Sequence, residues 1–204
     1  SVLDWPAMKR SLASRIVLLP LVLVLTCPAL ACGGEPPAEE PAEAEELEEA
    51  EEAPVPTGRV AREELEAAAP EWMAAMSAAE IDREAAAALA AVEPGAEVVV
   101  LLGTWCSDSR RELPRLWRAL DEVGGLVPFE IEYLAVDRDK AEPADLVAAY
   151  DLRYVPTFVV RRGGEEVGRI VESSPNGIEV DLLALLTGEA AGVLTGRDDL
   201  GGDG

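Results

Sequence analysis

Val98-Val99-Val100-Leu101-Leu102-Gly103-Thr104-Trp105-Cys106-Ser107-Asp108-Ser109 is the stretch on which the fold turns. Its unbroken aliphatic run offers no polar face, which predicts a strand over 97–103 covered on both sides of a sheet. Residues 107–123 then read as a helix, stopped by Gly124-Gly125. Cys106 therefore stands where a buried strand passes into a helix. Free N–H groups and the positive end of the helix dipole at such a point stabilise a thiolate. Ser109, three residues on, is placed either to donate a hydrogen bond to that sulfur or to cap the helix. Asp108 opposes a thiolate but suits the first turn of a helix, and Arg110 and Arg111 can offset its charge.

Upstream, residues 59–92 read as helical, with Val60, Leu65, Trp72, Met73 and Met76 at apolar positions. Pro70 suits a new helix start, Ser77 with Glu80 fits a capping box, and Pro94-Gly95 closes the region. Downstream, 127–136 alternates at Phe129, Ile131 and Tyr133 as a second strand, and 143–150 reads as a short helix. Segments 157–160 and 165–171 flank Gly163-Gly164, a strong hairpin signal, and 178–186 is an amphipathic helix ending near Gly188. Trp72 and Trp117 read as packing residues, and Arg161 and Arg162, like Arg110 and Arg111, as a solvated face. Strands alternating with helices pair in parallel, and the hairpin adds an antiparallel edge. The expected fold is α/β, a three-layer α/β/α sandwich with a four-stranded mixed sheet over 58–187. Gly- and Asp-rich residues 188–204 read as a flexible tail.

The N-terminal region has a different character. Lys9, Arg10 and Arg15 precede an apolar run broken by Pro20 and Pro28, which reads as a signal peptide over 1–31, with Met8 as a natural start. Ala29-Leu30-Ala31-Cys32 admits cleavage before Cys32 by either a general or a lipoprotein signal peptidase, or no cleavage at all. Small residue, Cys and then Gly33-Gly34 with a polar stretch resembles bacterial lipoproteins, although Pro28 and Ala29 stand where larger aliphatic residues are usual. That resemblance implies acylation of Cys32 and a place on the periplasmic side of the cell envelope. Residues 32–57 read as a disordered acidic tether, since 35–52 holds ten Glu and almost no large apolar residue.

Composition excludes several function classes. The chain of 204 residues has 40 Asp and Glu against 17 Lys and Arg, a net charge of −23, which argues against nucleic acid as a partner. It has no His, so Ser-His-Asp and Cys-His nucleophile pairs are excluded. Of its three Cys, Cys27 and Cys32 lie in the export segment, leaving Cys106 as the thiol of the folded region. One thiol and no His predict neither an internal disulfide nor a zinc site of the usual kind.

Trp105-Cys106 after a buried strand resembles the thioredoxin motif W-C-x-x-C. Pro114, eight residues after the Cys, resembles the proline of that family's active-site helix. Val155-Pro156-Thr157, with Pro156 fifty residues after the Cys, resembles its cis-proline loop. The likeness covers residues 60–186. It implies that Cys106 is a nucleophile toward disulfides, that Trp105 covers the thiol, and that Pro156 holds Val155 so its backbone pairs with a substrate strand. It implies thiol chemistry with no cofactor. Three departures matter: Ser109 replaces the second cysteine, Val100 stands where many thioredoxins carry a buried Asp, and Asp108 stands where Pro is typical. W-C-x-D-S also resembles a recurrent branch of bacterial thioredoxin-like proteins.

Two functions are therefore expected to compete. One is an extracytoplasmic monothiol oxidoreductase acting on protein thiols or disulfides by reduction, isomerisation or client holding, in which a second client thiol or an external thiol reductant releases Cys106 because nothing inside the domain can resolve a mixed disulfide. The other is a non-catalytic binding or chaperone-like module that uses the Pro156 groove. A peroxide-reacting thiol is weaker, because Gly103 stands where a peroxidase-type Thr would be.

Overall fold

The computed structural model describes residues 55–200. The residues expected to form a signal peptide, Cys32 and the acidic stretch up to residue 54 lie outside the described residues, as do 201–204. The elements are β1 (Gly58–Val60), α1 (Arg62–Ala68), α2 (Glu71–Ala78), α3 (Arg83–Leu89), β2 (Ala96–Leu102), α4 (Ser107–Glu122), β3 (Phe129–Ala135), α5 (Ala144–Ala149), β4 (Thr157–Arg162), β5 (Glu165–Val171), α6 (Ile178–Thr187) and β6 (Gly192–Leu194).

The sheet runs β1-β3-β2-β4-β5-β6. β2 lies parallel to β3 and antiparallel to β4, so it is interior on both edges. It is interior on both faces as well. Val98, Val100 and Leu102 face a core shared with Leu65, Trp72, Leu89, Trp117 and Leu182. Val99 and Leu101 face a smaller core with Val155 and Val159, against which Leu146, Val147 and Tyr150 pack. The unbroken apolar run follows from that placement. α1 to α4 and α6 cover the first face and α5 the second, which makes the α/β/α sandwich.

The sheet has six strands where four are expected. β1 pairs antiparallel with β3, and β6 pairs parallel with β5. Each is three residues long, too short to carry a period-two pattern, and each exists because an edge strand presents unpaired N–H and C=O groups. The expected flexible tail is thereby corrected. Beyond β6, the Thr195 hydroxyl donates to the Val171 carbonyl at 2.8 Å and the Gly196 N–H to the Ser173 carbonyl at 2.8 Å.

The helical region 59–92 is also more broken than expected, with β1 followed by three short helices. Pro70 does precede α2, but Ser77 caps nothing. It lies inside α2 and donates back to the Met73 carbonyl. Asp82 caps α3 instead, accepting the Glu84 and Ala85 N–H groups at 2.9 and 3.0 Å. The hairpin at Gly163-Gly164 forms with both glycines at positive φ, and Gly188 caps α6 in the left-handed region.

Trp72 and Trp117 are fully buried with ring centroids 5.7 Å apart, and Trp117 donates to the Tyr133 hydroxyl at 3.0 Å. The α4–α6 seam is held by charge. Glu179, 0% exposed, accepts Arg115 Nε at 2.9 Å, Arg115 Nη2 at 2.8 Å and the Asp82 N–H at 2.7 Å. Breaking such a pair from one side strands a buried charge. Arg115→Met is therefore expected to destabilise the fold by about 3 kcal/mol, the low end of the usual range because Arg115 is partly exposed. Urea unfolding checks this, and the double variant Arg115→Met with Glu179→Gln should recover most of the loss.

Candidate thiol site

Cys106 is the N-cap residue of α4, with extended backbone at φ −86 and ψ 129. Its N–H donates to the Gly103 carbonyl at 3.0 Å, and its carbonyl accepts the Arg110 N–H at 3.1 Å. The side chain thus sits just outside the first turn, beside the N–H groups of residues 107–109, which have no partner four residues back. The thiol is half-buried, and Sγ donates to the Val155 carbonyl at 3.2 Å. The Val155–Pro156 peptide is cis.

Trp105 is half-buried beside the thiol and held from three sides. Its Nε1 donates to the Val136 carbonyl at 3.2 Å, its ring lies against Gly103, and Lys140 Nζ stands 5.9 Å from the ring centroid. A Cβ on Gly103 would come within 2.5 Å of the ring, so glycine is required there by close approach. Asp137 organises the loop that carries Lys140. Its Oδ1 accepts the Ala141 and Glu142 N–H groups at 2.7 and 2.9 Å, and these bonds, Glu142's first, hold its carboxyl below the ordinary value. Sequence reasoning passed over this loop, although an Asp ahead of a turn is a recognisable signal.

Ser109 occupies neither of its expected roles. It is 0% exposed, and its hydroxyl accepts the Gly103 N–H at 3.3 Å. It is the third residue of α4 and not the cap, and it ties the end of β2 to the helix from behind. Pro114 lies buried inside α4. Val155 is buried and leaves its carbonyl to the thiol. The Pro156 carbonyl accepts the Glu172 N–H at 2.8 Å. Thr157 is buried, and its hydroxyl donates to the Tyr154 carbonyl at 2.7 Å, which braces the loop. The structure thus gathers Trp105, Cys106, Val155 and Pro156 at one end of the sheet, with Ser109 and Thr157 as supports beneath.

Charge around the thiol is paired. Asp108 accepts Arg111 Nη1 at 2.7 Å, and Arg111 Nε also reaches Glu112 at 2.9 Å. Arg111 is therefore not simply a solvated face; helix spacing places it between two acids. Glu112 is 5% exposed, and burial pushes its pKa above the ordinary 4.5 against the pull of Arg111. It went unremarked in the sequence because a charged residue in a helix reads as exposed.

An order of β1-β3-β2-β4-β5-β6, a cysteine capping the helix after the central strand, and a cis-proline loop against its sulfur make a specific combination. Thioredoxin H2-1 of rice is 30% identical over 98 residues, 48% of this chain and 66% of that protein. The fold is thioredoxin-like. A thioredoxin of Staphylococcus epidermidis is 29% identical over 84 residues, 41% of this chain and 75% of that protein. The chain spans less than two thirds of the length of the rice relative and 61% of that of a thioredoxin-like protein of a mimivirus. No family model matches. Among solved structures, a Pseudomonas aeruginosa protein of unknown function has a TM-score of 0.45 at 19% identity, covering 62% of this chain and 86% of that one. Thioredoxin of Fasciola hepatica has a TM-score of 0.33 at 22% identity, over 48% and 82%.

The Glu112 shift has a pH consequence. With its folded pKa raised, the folded state holds the proton more tightly than the unfolded state. Its contribution is fully present below 4.5 and is lost as pH rises through the folded value. Asp137 acts in the opposite sense and only below its ordinary 3.8, outside this window. Relative to Glu112→Gln, the wild-type chain is expected to lose stability as pH rises above 4.5, read from urea midpoints. A difference constant across that range would assign the shift elsewhere.

Proposed function

We propose that this chain is a thiol–disulfide oxidoreductase-like protein that works outside the cytoplasm through the single nucleophile Cys106. The observation carrying the proposal is the 3.2 Å contact between Cys106 Sγ and the Val155 carbonyl, at a helix N-terminus and under Trp105. The first step removes the thiol proton to solvent. The sulfur then turns from donating to Val155 to accepting from the N–H groups of the first turn. The thiolate attacks one sulfur of a client disulfide. The client S–S bond breaks, its other sulfur leaves as a thiolate, and a Cys106–client disulfide forms. Two routes release Cys106. If a second client thiol attacks, the client is isomerised without net oxidation. If two external thiols act in turn, the client is reduced and they leave as a disulfide. Ser109 supplies no resolving sulfur, and its hydroxyl oxygen accepts the Gly103 N–H.

The extracytoplasmic assignment rests on the sequence of 1–32, read as a signal peptide ending at an acylated Cys32, with the acidic segment as a spacer from the membrane. No helix among the described residues is long and apolar enough to cross a bilayer. Protein thiols and disulfides of the cell envelope are the proposed partners. Labelled palmitate should enter the wild-type chain in a bacterial host and be absent from Cys32→Ala.

A second reading, a groove that binds clients without covalent chemistry, draws on the same contact, because the resting thiol is engaged by Val155. The two are separated with a full chain bearing Cys27→Ser and Cys32→Ser, so that Cys106 is the only thiol. At neutral pH, the folded chain is expected to react with iodoacetamide about tenfold faster than the same chain in urea. It should also accumulate mixed disulfides with envelope proteins that vanish in Cys106→Ala. A folded thiol slower than the unfolded one, with no trapped adducts, would leave the binding module.

A further inference from the structure

A cavity of about 190 Å³ opens beside the Pro156 loop, lined by Tyr154, Thr157, Val171, Val193 and Leu200 with Arg169 at its side. The strand register fixes where it lies. Leu101 stands opposite Thr157, and Thr157 opposite Val171. The end of the sheet that delivers Cys106 is therefore also the end at Thr157 and Val171, and the end from which β6 exits. The face is shared too. Val159 belongs to the core group against which Trp105 and Cys106 pack. Thr157, two residues away on the strand, shares that face, as do the cross-strand partners Val171 and Arg169 and, opposite Arg169, Val193. The wall of the cavity begins at Tyr154, one residue before the carbonyl that touches the thiol.

The C-terminal segment builds this cavity and is tied in place. Arg197 reaches Glu172 at 2.6 Å and Asp199 at 2.6 and 2.8 Å, and its guanidinium lies 4.6 Å over the Tyr154 ring. Glu172 in turn donates its N–H to the Pro156 carbonyl. Around the rim every charge has a partner, Arg153 with Asp151, Arg169 with Glu166 and Arg197 with both Glu172 and Asp199, so four carboxylates face three guanidinium groups. The floor is aliphatic, from Val171, Leu200 and Val193, the last 54% exposed although it is apolar. The space corresponds to roughly six waters at about 30 Å³ each, enough for one side chain.

We propose that this cavity is a client side-chain subsite of the Cys106 groove. It takes a neutral aliphatic or aromatic side chain of an extended protein segment, two residues from the cysteine under attack. The proposal rests on the reading of Cys106 as a nucleophile toward protein disulfides. A segment pairing along the Pro156 loop alternates its side chains between faces, so a residue two positions from its cysteine returns to the face that holds the cavity. Burying such a side chain draws on the apolar floor, and the rim, with one carboxylate more than its guanidinium groups, disfavours an acidic side chain.

The test uses the full chain with Cys27→Ser and Cys32→Ser. The probes are short peptides whose one cysteine is held as a mixed disulfide with 5-thio-2-nitrobenzoate. The Cys106 thiolate attacks the peptide sulfur, the probe's S–S bond breaks, and the coloured thiolate leaves as the Cys106–peptide disulfide forms. Peptides carry Leu, Phe, Gly or Asp two positions before or after the cysteine. Every rate is divided by that of bis(2-hydroxyethyl) disulfide on the same variant. Leu and Phe peptides are expected to react about five- to tenfold faster than Gly or Asp peptides at one of the two positions. Leu200→Ala should shrink that preference. Val193→Phe, which fills the cavity without removing any of it, should bring Leu down to Gly. Equal rates for all peptides in a chain that reacts with the small disulfide overturn the subsite. If the chain is inert to the small disulfide, the nucleophile reading fails, and the same peptides with Ser in place of Cys decide the cavity alone. Tighter binding of Leu than Gly then keeps it, and equal binding removes it.

Discussion

β2 is enclosed on both faces and both edges, and the rest of the molecule is arranged around that enclosure. Over 98–102 the strand has no solvent side and must be apolar, while Glu97 near its start is exposed, and its ladder groups find partners in β3 and β4. The antiparallel pairing with β4 sets Leu101 opposite Thr157. The loop before β4 is thereby delivered to the point where β2 gives way to α4, and Val155 meets Cys106 there. The contact between thiol and carbonyl is the result of sheet register, with no long-range side-chain interaction needed to create it.

Around this core the chain handles an acidic composition in two ways. Much of the charge stands in the N-terminal stretch, and the carboxylates drawn into the fold are matched. Glu179 takes a fork of Arg115 and a backbone N–H, and Asp181 takes the Ser174 hydroxyl and both Asn176 donors. Glu112 is the less balanced case, with burial outweighing Arg111. All three acids lie along α4 and α6 or face the 173–177 loop that follows β5. The polar ties therefore join α4, α6 and the loop between β5 and α6.

The site itself is economical in donors. Ser109 accepts a backbone N–H and Thr157 donates to a backbone carbonyl, and what stands at the thiol end is one sulfur, an indole and a loop carbonyl. With Cys106 the one free thiol among the described residues, the proposed reaction leaves a mixed disulfide whose lifetime depends on how a client is held and on which thiol attacks it. A side-chain subsite built by the C-terminal segment would matter more here than in a dithiol protein, whose own second sulfur ends the encounter.

The sequence by itself determined the central strand, the hairpin, the limits of α4 and α6, and the place of Cys106 at a helix start. Each of these is local: an aliphatic run, two glycines that accept positive φ, or a change of period between neighbouring residues. It also located Pro156, through the resemblance of Val155-Pro156-Thr157 to the thioredoxin cis-proline loop. Only the tertiary structure decided β1 and β6, because three-residue strands carry no pattern and exist through a neighbour's open edge. It alone decided that Ser109 supports the Gly103 N–H from behind and leaves the cap to Cys106, since the two positions differ by a fraction of a helical turn. Tertiary contact also turned a stretch that reads as a loose tail into the wall of a cavity. Arg197, Glu172 and Tyr154 come from three separate segments, and no spacing along the chain relates residues that meet only when a sheet brings its edges to one end.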